Sequence, residues 1–464
     1  MGRVRLTLLL LALLAAAAGV LAGCSARETA LRVMRPPQPE KRQSTWVHVA
    51  VVDGDRGRRV RGALVRIGRF HDRTDRRGVA KIPLRRRAAL VVRVKAKRYS
   101  PESVRLQFRG HPKRTVRIYQ PSLQWTMYGA TPARTQTQPR IHLRPPFRIV
   151  WSRGVGSFME FPAVVSDGVA FVGNYRGTVR AFSMRNGARI WRANTDGKMA
   201  ASPAALRDEV VVHGMHGHVY VLDRHNGRVL WRFNAGAPIE SSPVVRDGID
   251  YFGAWNGRLY ALDLKRRRVR WLVRTGYKIT SSVALSGATA YVGDYGGRVF
   301  ALSTRTGRTR WVGHVNGRIY GTPAVAAGRV FVSSSSGGSL TAFSRSGGRL
   351  WSIGTGAYVY ASPAVWAGRV YFGSYTGRLY CVSAARGSVL WSFASGAPIA
   401  GAPIVVDRVV YFANRYHRVY ALSARRGRLL MRFPDGAFVP VSGNGGRLLL
   451  HGFSRLYAVE PRHR

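Results

Sequence analysis

The sequence of 464 residues is strongly basic, with 75 Lys and Arg residues against 21 Asp and Glu residues and a formal net charge of +54. Such a charge favours contact with polyanions at low salt, but the arginines are spread along the whole chain, so the bias of a GC-rich genome is the favoured explanation and a selected polyanion partner is the alternative. The two cysteines, Cys24 and Cys381, are too few for a fold organised by disulfides.

Residues 1–23 form a predicted lipoprotein signal peptide. Basic residues near the N-terminus precede an apolar run over residues 6–20, which is shorter than the roughly 20 residues that a membrane-spanning helix needs. The following Leu21-Ala22-Gly23-Cys24 resembles a bacterial lipobox, which implies cleavage before Cys24 and lipidation of that residue. An ordinary signal peptide with a chance cysteine is the alternative. We expect the mature protein to be extracytoplasmic and anchored to the cell membrane by lipid, with residues 24–44 as a proline-containing spacer.

Residues 45–119 predict a small β-sandwich. Short apolar strands alternate with turns, as in the segment Thr74-Asp75-Arg76-Arg77-Gly78. The segments GRRVRGALVRI, TDRRGVAKI and LVVRVKAKRYSPESVRL resemble the carboxypeptidase regulatory-like (transthyretin-like) domain, which implies a stabilising or adhesive module without catalysis. Residues 120–146 contain five prolines and are predicted to form a semi-rigid extended linker.

A 40-residue repeat occupies residues 147–464. Each repeat predicts four short antiparallel strands, which is typical of a propeller blade. Such a sheet is apolar on both faces and is stable only when it is stacked on its neighbours. Tryptophans that we expect to dock one blade against the next recur at intervals of 40: Trp151, Trp191, Trp231, Trp271, Trp311, Trp351 and Trp391, with Met431 in the next place.

The blade count follows from the ends of the repeat region. Seven full repeats run from residue 162 to residue 441, and the C-terminal residues supply further inner strands without an outer one. The strand Phe147–Trp151 is predicted to complete this eighth blade and to close the ring, which leaves no long unpaired edge. The predicted fold class is therefore all-β: an eight-bladed β-propeller with a small N-terminal β-sandwich domain.

The segments ALSTRTGRTRW, VLDRHNGRVLW and CVSAARGSVLW resemble the pyrroloquinoline-quinone (PQQ) repeat. One branch of this family consists of quinoprotein dehydrogenases, and another consists of non-enzymatic lipoproteins such as the propeller subunit of the outer-membrane β-barrel assembly machinery. The fold alone does not distinguish between these two branches. For the dehydrogenases, the resemblance implies a quinone stacked on an adjacent Cys-Cys disulfide and Ca²⁺ held by Glu, Asn and Asp.

The sequence favours the non-enzymatic branch. It contains no Cys-Cys pair, and its uniform repeats leave no insertion to enclose a cofactor. We therefore expect no enzymatic activity, no catalytic residues, no cofactor and no metal, with a PQQ-dependent dehydrogenase as the least favoured alternative. His213, His216 and His218 could approach a metal ion, but a solvated strand end and turn is the favoured interpretation.

The loops that lead into each repeat provide a candidate binding surface. One position is aliphatic in every repeat, from Met159 to Val439, and is expected to be buried, so its two neighbours point the other way. These neighbours vary and include residue types that are common at binding hot spots; loop variation without a ligand is the alternative. The candidate partner-binding residues are Phe158, Glu160, Lys198, Glu240, Lys278, Thr280, Arg318, Tyr320, Tyr358 and Tyr360.

We expect a non-enzymatic, lipid-anchored scaffold that binds a protein partner of the cell envelope. An anionic envelope polymer is the alternative ligand. No specific nucleic acid partner is expected, and the protein is expected to be monomeric.

Overall fold

The computed structural model describes residues 45–84, 89–108, 112–436 and 438–462. The predicted signal peptide, Cys24 and the spacer lie outside these ranges. Within them, no helix is long and apolar enough to cross a membrane. Residues 45–464 form one compact unit.

The N-terminal part is a β-sandwich of two sheets around one apolar cluster. One sheet has the order β4-β1-β7, in which β1 pairs antiparallel with β4 and parallel with β7, and the other has the order β3-β2-β5-β6. Alternate residues of β1, such as Val47, Val49 and Val51, are fully buried and contact Val92 and Val94 of the second sheet through the shared core. The strands are β1 (Thr45–Asp53), β2 (Leu64–Ile67), β3 (Phe70–Arg73), β4 (Val79–Leu84), β5 (Ala89–Lys95), β6 (Glu102–Gln107) and β7 (Lys113–Ile118).

The connection to the propeller contains the 3₁₀ turn Pro121–Leu123 and the strands β8 (Thr137–Gln138) and β9 (Phe147–Gly154). Seven blades follow, each with its innermost strand first. Blades 1 to 4 consist of β10 (Val164–Ser166), β11 (Val169–Gly173), β12 (Thr178–Ser183) and β13 (Arg189–Asn194); β14 (Ala204–Ala205), β15 (Glu209–His213), β16 (His218–Asp223) and β17 (Val229–Asn234); β18 (Val244–Arg246), β19 (Ile249–Gly253), β20 (Arg258–Asp263) and β21 (Arg268–Arg274); and β22 (Ala284–Ser286), β23 (Thr289–Gly293), β24 (Arg298–Ser303) and β25 (Thr309–His314). Blades 5 to 7 consist of β26 (Ala324–Ala326), β27 (Arg329–Ser334), β28 (Ser339–Ser344) and β29 (Arg349–Gly354); β30 (Ala364–Trp366), β31 (Arg369–Gly373), β32 (Arg378–Ser383) and β33 (Val389–Ala394); and β34 (Ile404–Val406), β35 (Val409–Ala413), β36 (Val419–Ser423) and β37 (Leu429–Phe433).

The eighth blade joins the two ends of the repeat region. It consists of β38 (Val441–Gly443), β39 (Leu448–His451), β40 (Arg455–Pro461) and β9, in that order. β9 pairs antiparallel with β40 from Phe147 opposite Pro461 to Gly154 opposite Arg455. The predicted fold class, with eight blades and closure by β9, is confirmed.

The repeated tryptophans lie at the junctions between blades. The Trp191 indole N–H donates to the carbonyl of Arg224 in the next blade at 2.7 Å. A Cβ on Gly227, which has a positive φ of 76°, would lie 2.6 Å from the Trp191 ring. The same donation to a carbonyl in the neighbouring blade is made by Trp151, Trp271, Trp311, Trp351 and Trp391.

Residues 124–138, here called the axial segment, differ from the extended linker predicted from their prolines, because they lie against the innermost strands. Backbone carbonyls of this segment accept hydrogen bonds of 2.7–2.9 Å from one residue of the innermost strand in blades 2, 4, 5, 6 and 7. Trp125 exchanges two backbone hydrogen bonds with Val165 of blade 1, and β8 pairs in parallel with β34. The innermost strands have free backbone groups on the side that faces the axis, and the axial segment satisfies them.

Arg134 holds the axial segment to blades 3 and 4. Its guanidinium is fully buried and donates to the carbonyls of Val283, Ser242 and Pro243 at 2.9–3.0 Å, and also to that of Tyr128. Burial lowers the pKa of Arg134 to about 10, so that the side chain stays charged near neutral pH.

Candidate functional site at the propeller mouth

The loops that enter the innermost strands meet at one end of the propeller, here called the mouth. Their aliphatic position is buried throughout, from Met159 at 1% exposure to Val439 at 4%. The prediction that this position faces the core is confirmed. Because this buried position is shared, all eight loops present their neighbouring residues to the axis in the same way.

The structure divides the ten candidate residues into three groups. Lys198, Arg318 and Tyr358 are exposed. Glu240 and Thr280 are buried. The partly buried group consists of Phe158, Glu160, Lys278, Tyr320 and Tyr360.

Glu160, Glu240 and Tyr320 meet at the centre of the mouth and form a cluster, here called the axial cluster, which explains why they are shielded from solvent. The Tyr320 hydroxyl lies 3.3 Å from Glu160 Oε1 and also contacts Glu240 Oε1. The indole N–H of Trp255 donates to Glu240 Oε2 at 3.1 Å. Burial, together with the nearby Glu240 carboxylate, raises the pKa of Glu160 to about 7, and burial raises the pKa of Glu240 as well.

The axial cluster and the axial segment leave little space between them. A cavity of about 40 Å³ lies between Tyr128, Tyr320 and Glu160. This volume can hold ordered water, for which a polar cavity needs roughly 10–15 Å³ per molecule. Within the described part of the chain, the buried Glu160 Oε2 and Thr280 Oγ1 make no close hydrogen bond to protein, although the Tyr175 and Tyr295 hydroxyls lie near them.

A second ring of side chains surrounds the first, and the sequence analysis missed it. Tyr175, Trp255, Tyr295 and Tyr375 follow the second strand of their blades, and their N–H groups donate to carbonyls of the entering loops at 2.9–3.0 Å. Their positions differ by multiples of 40 residues, so the repeat period contained the signal that could have found them.

The two rings form a continuous aromatic and cationic surface, here called the mouth surface. The Lys278 ammonium lies 3.1 Å from the centre of the Trp255 ring, and the Arg318 guanidinium lies 5.9 Å from that of Tyr295. The Tyr358 and Tyr375 rings are in edge contact at 5.9 Å. Next to them, a pocket of about 210 Å³ is lined by Phe158, Phe438, Phe453, Arg415 and His417 together with small residues.

The three clustered histidines do not converge. His213 is fully buried in β15, with Nε2 2.8 Å from Asp250 Oδ2 and Nδ1 2.6 Å from the Ser241 carbonyl oxygen. His216 is exposed, and His218 lies 2.5 Å from Asp196. The prediction of a solvated strand end and turn is wrong for His213, because its partner lies on the neighbouring blade, 37 residues away in the sequence. Among the described residues, no group of three or more His, Cys, Asp or Glu residues could hold a metal ion.

The residues near the axis do not fit a quinone cofactor. The two cysteines of the chain, Cys24 and Cys381, are not adjacent, and Cys381 is a buried free thiol in β32, away from the axis, so no vicinal disulfide is available on which a quinone could stack. The cavity of about 40 Å³ between the axial cluster and the axial segment is far below the roughly 300–1,000 Å³ of ordinary ligand pockets.

Known structures share this propeller fold. BamB from Moraxella catarrhalis superposes with a TM-score of 0.60 at 18% identity, covering 69% of this chain and 99% of that one. The quinohemoprotein alcohol dehydrogenase from Comamonas testosteroni superposes with a TM-score of 0.63 at 16% identity, covering 74% and 81%. The computationally designed protein Ika8 gives 0.60 at 15% identity, covering 68% and 99%. At these identities the likeness concerns the fold alone.

The family comparison is more specific. No curated protein sequence gives a significant match. The family described as outer membrane protein assembly factor BamB matches residues 123–273, 255–357 and 336–458, which together include the whole axial segment and the propeller up to the middle of β40. The chain therefore belongs to the outer membrane protein assembly factor BamB family.

Proposed function

We propose that this protein is a non-enzymatic scaffold of the cell envelope that binds a protein partner through its mouth surface. The observation that supports this proposal most directly is the contiguous set of Tyr, Trp, Lys and Arg side chains on two rings of backbone-bonded loops. Tyrosine, tryptophan and arginine dominate the energetics of protein interfaces. The membership in the BamB family points in the same direction.

The mouth surface is also preorganised. Lys278 is held over Trp255, and Tyr358 is held against Tyr375. Side chains that are already ordered lose less conformational entropy on binding. The carboxylates of Glu160 and Glu240 contact other side chains at the axis, whereas the exposed charges at the mouth include the cations Lys198, Arg318 and Arg415. We therefore propose a partner that presents apolar and acidic residues.

A photo-crosslinking amino acid at position 358 tests this proposal in cells that produce the full lipoprotein. We expect a discrete adduct with an envelope protein, and we expect that Arg318→Ala together with Tyr375→Ala reduces it. The same amino acid at Trp46, which is 53% exposed on the sandwich, is the control and should give no such adduct. Equal adducts from both positions would contradict the role of the mouth. Tyr320 is unsuitable for this test because it belongs to the axial cluster.

The absence of catalysis is part of the same proposal. Because the axis is occupied by residues of the chain itself, we expect no dye-linked alcohol oxidation when the purified protein is mixed with PQQ and Ca²⁺. Measurable turnover would contradict the proposal that the protein is a non-enzymatic scaffold.

The proposed extracytoplasmic location depends on Cys24, which lies outside the described residues. We propose that Cys24 carries a lipid anchor, because the apolar run and lipobox-like ending precede it directly. Cys24→Ala should release the protein from the membrane or stall its processing. A fully processed variant that still fractionates with membranes would contradict this anchor.

A further inference from the structure

A large cleft lies between the sandwich and the end of the propeller opposite the mouth. It measures about 950 Å³. One wall consists of the turn after β1 and part of β7, and the other consists of turns in blades 1 and 8. Strand direction places these turns away from the mouth, because the innermost strand of each blade runs from the mouth to this end.

The base of the cleft is fixed by contacts between the two walls. The Asp55 carboxylate of the sandwich accepts hydrogen bonds from Asn444 Nδ2 of blade 8 at 2.8 Å and from Gln124 Nε2 at 2.7 Å. A Cβ on Gly446 would lie 1.9 Å from the Asp55 carbonyl oxygen, so the two backbones are in close contact. The cleft therefore has a defined shape.

The carboxylates of the cleft are engaged by protein groups. Asp53 accepts hydrogen bonds from the backbone N–H groups of residues 55 and 56 and from the Tyr99 hydroxyl. Asp55 is bound as described above. Glu460 pairs with Arg148 and Arg447. These contacts fix the positions of the three acids, which are outnumbered by the six arginines that line the cleft.

Most arginines of the cleft have no charged partner among the described residues. Five of its lining arginines are exposed, and none forms an ion pair with a carboxylate of the described residues: Arg56, Arg58, Arg59, Arg117 and Arg185. Guanidinium groups match phosphate oxygens in bidentate geometry and are less strongly hydrated than ammonium groups. The cleft thus combines a fixed shape with an excess of six arginines over three acids, and the guanidinium group is a type of cation that binds phosphate.

The distribution of these charges indicates an extended ligand. The arginines come from both walls and all five residues are exposed, so they do not form a single buried phosphate position. A chain with repeated phosphate groups can contact several of them at once and release counterions at each contact. We propose that this cleft binds a linear phosphate-bearing polymer, a function separate from partner binding at the mouth surface.

The test measures binding of long-chain inorganic polyphosphate to the detergent-solubilised full-length protein at several salt concentrations. The variant Arg56→Ser/Arg58→Ser/Arg59→Ser removes three charges from the cleft. The control variant Arg425→Ser/Arg426→Ser/Arg428→Ser removes three exposed charges with similar spacing from blade 7, outside the cleft. Both variants have the same net charge, so the comparison separates the cleft from the overall basicity of the chain.

We expect the cleft variant to bind polyphosphate at least tenfold more weakly than the control variant at moderate salt. The slope of log K against log salt concentration should be less steep by about 2 to 3, because each lost phosphate contact reduces that slope by roughly 0.7–0.9. If the cleft variant fails to fold, Arg117→Ser with Arg185→Ser, one from each wall, serves the same purpose. Equal weakening in the cleft and control variants would overturn the proposal in favour of diffuse charge.

Two further probes define the ligand chemistry. Polyglutamate of matched length should bind more weakly than polyphosphate, and equal binding would overturn the preference for phosphate. A third outcome is that the protein fails to bind polyphosphate but binds phosphatidylglycerol vesicles, with weaker binding by the cleft variant. That result would overturn the proposal of a polymer ligand in favour of a lipid surface. Neither result affects the mouth surface, whose crosslinking test uses the other end of the propeller.

Discussion

At the scale of single residues, six of the eight blade junctions pack one tryptophan against one glycine in the next blade, and the junction between blades 7 and 8 has Met431 in the tryptophan position. The glycine has a positive φ and leaves room for the indole ring, as Gly227 does for Trp191. Blade 3 departs from this rule, because the equivalent position is Arg267, which keeps the positive φ of 55°. Within the described structure, Trp231 is the repeated tryptophan that makes no indole hydrogen bond to the next blade.

Arg267→Gly should therefore stabilise the protein. A residue with a Cβ costs roughly 1–2 kcal/mol in the left-handed region, and the greater flexibility of glycine in the unfolded chain offsets roughly 0.5–1 kcal/mol of this gain. We expect the free energy of unfolding to rise by about 0.5–1 kcal/mol in urea titrations. Lys265→Gly is the control, since Lys265 lies in the same turn without a positive φ, and it should be destabilising. Loss of stability in both variants would contradict the explanation.

The ionisation of Glu160 should make stability depend on pH. Its folded pKa is about 7 against an ordinary value of 4.5, because it is buried beside the Glu240 carboxylate; the hydrogen bonds of the Tyr175 and Tyr320 hydroxyls oppose this rise without cancelling it. The folded state therefore binds the proton more tightly than the unfolded state, and the contribution of Glu160 is present at pH 4.5 and lost as the pH rises through 7. Glu160→Gln should flatten the decrease in urea midpoint between pH 5 and pH 8. Identical pH profiles for the two proteins would show that Glu160 does not titrate in this range.

At the scale of elements, the sequence predicted the blades well and the axial segment poorly. The strands of each blade are bounded by turn residues and by a 40-residue period, and both are local signals. The prolines of residues 120–146 correctly indicate a chain without long strands, but composition cannot identify its hydrogen-bonding partners. Those partners, such as Val165 and Val405, become neighbours only when the ring has closed.

Arg134→Ala tests whether the axial segment holds the ring together. The change leaves three blade carbonyls and that of Tyr128 buried without their donor. Each unsatisfied buried group costs about 1–3 kcal/mol, so we expect a loss of at least 3 kcal/mol in urea unfolding. Arg140→Ala, an exposed residue just beyond the segment, should change stability by less than about 0.5 kcal/mol. Similar small effects from both substitutions would show that the segment contributes little to stability.

At the scale of the whole molecule, the sequence predicted which side of each mouth loop faces the axis, but not how deeply each axis-facing residue is buried. Which side of a loop faces the axis follows from the aliphatic position at Met159 and its equivalents. Whether an axis-facing residue is exposed depends on the radius of the ring and on the side chains from other blades. Tyr320 meets both Glu160 and Glu240, which are 160 and 80 residues away in sequence. The exposed and the axial candidates therefore separate only in three dimensions.

The closure of the ring between β9 and β40 can be tested by replacing residues 147–152 with a Gly/Ser sequence of equal length, which keeps the connection to blade 1. The replacement removes the pairing that joins the two ends of the propeller and exposes β40 as a free edge, so we expect aggregation and a larger radius of gyration in X-ray scattering. The same replacement of residues 309–314, the outermost strand of blade 4, is the control. It also removes a tryptophan and a comparable strand pairing, but the chain still connects blade 4 to blade 5. The control should lose stability and remain a closed monomer, because only β9 closes the ring without a covalent link to its neighbouring strand. Equal scattering profiles from the two variants would contradict this account of closure.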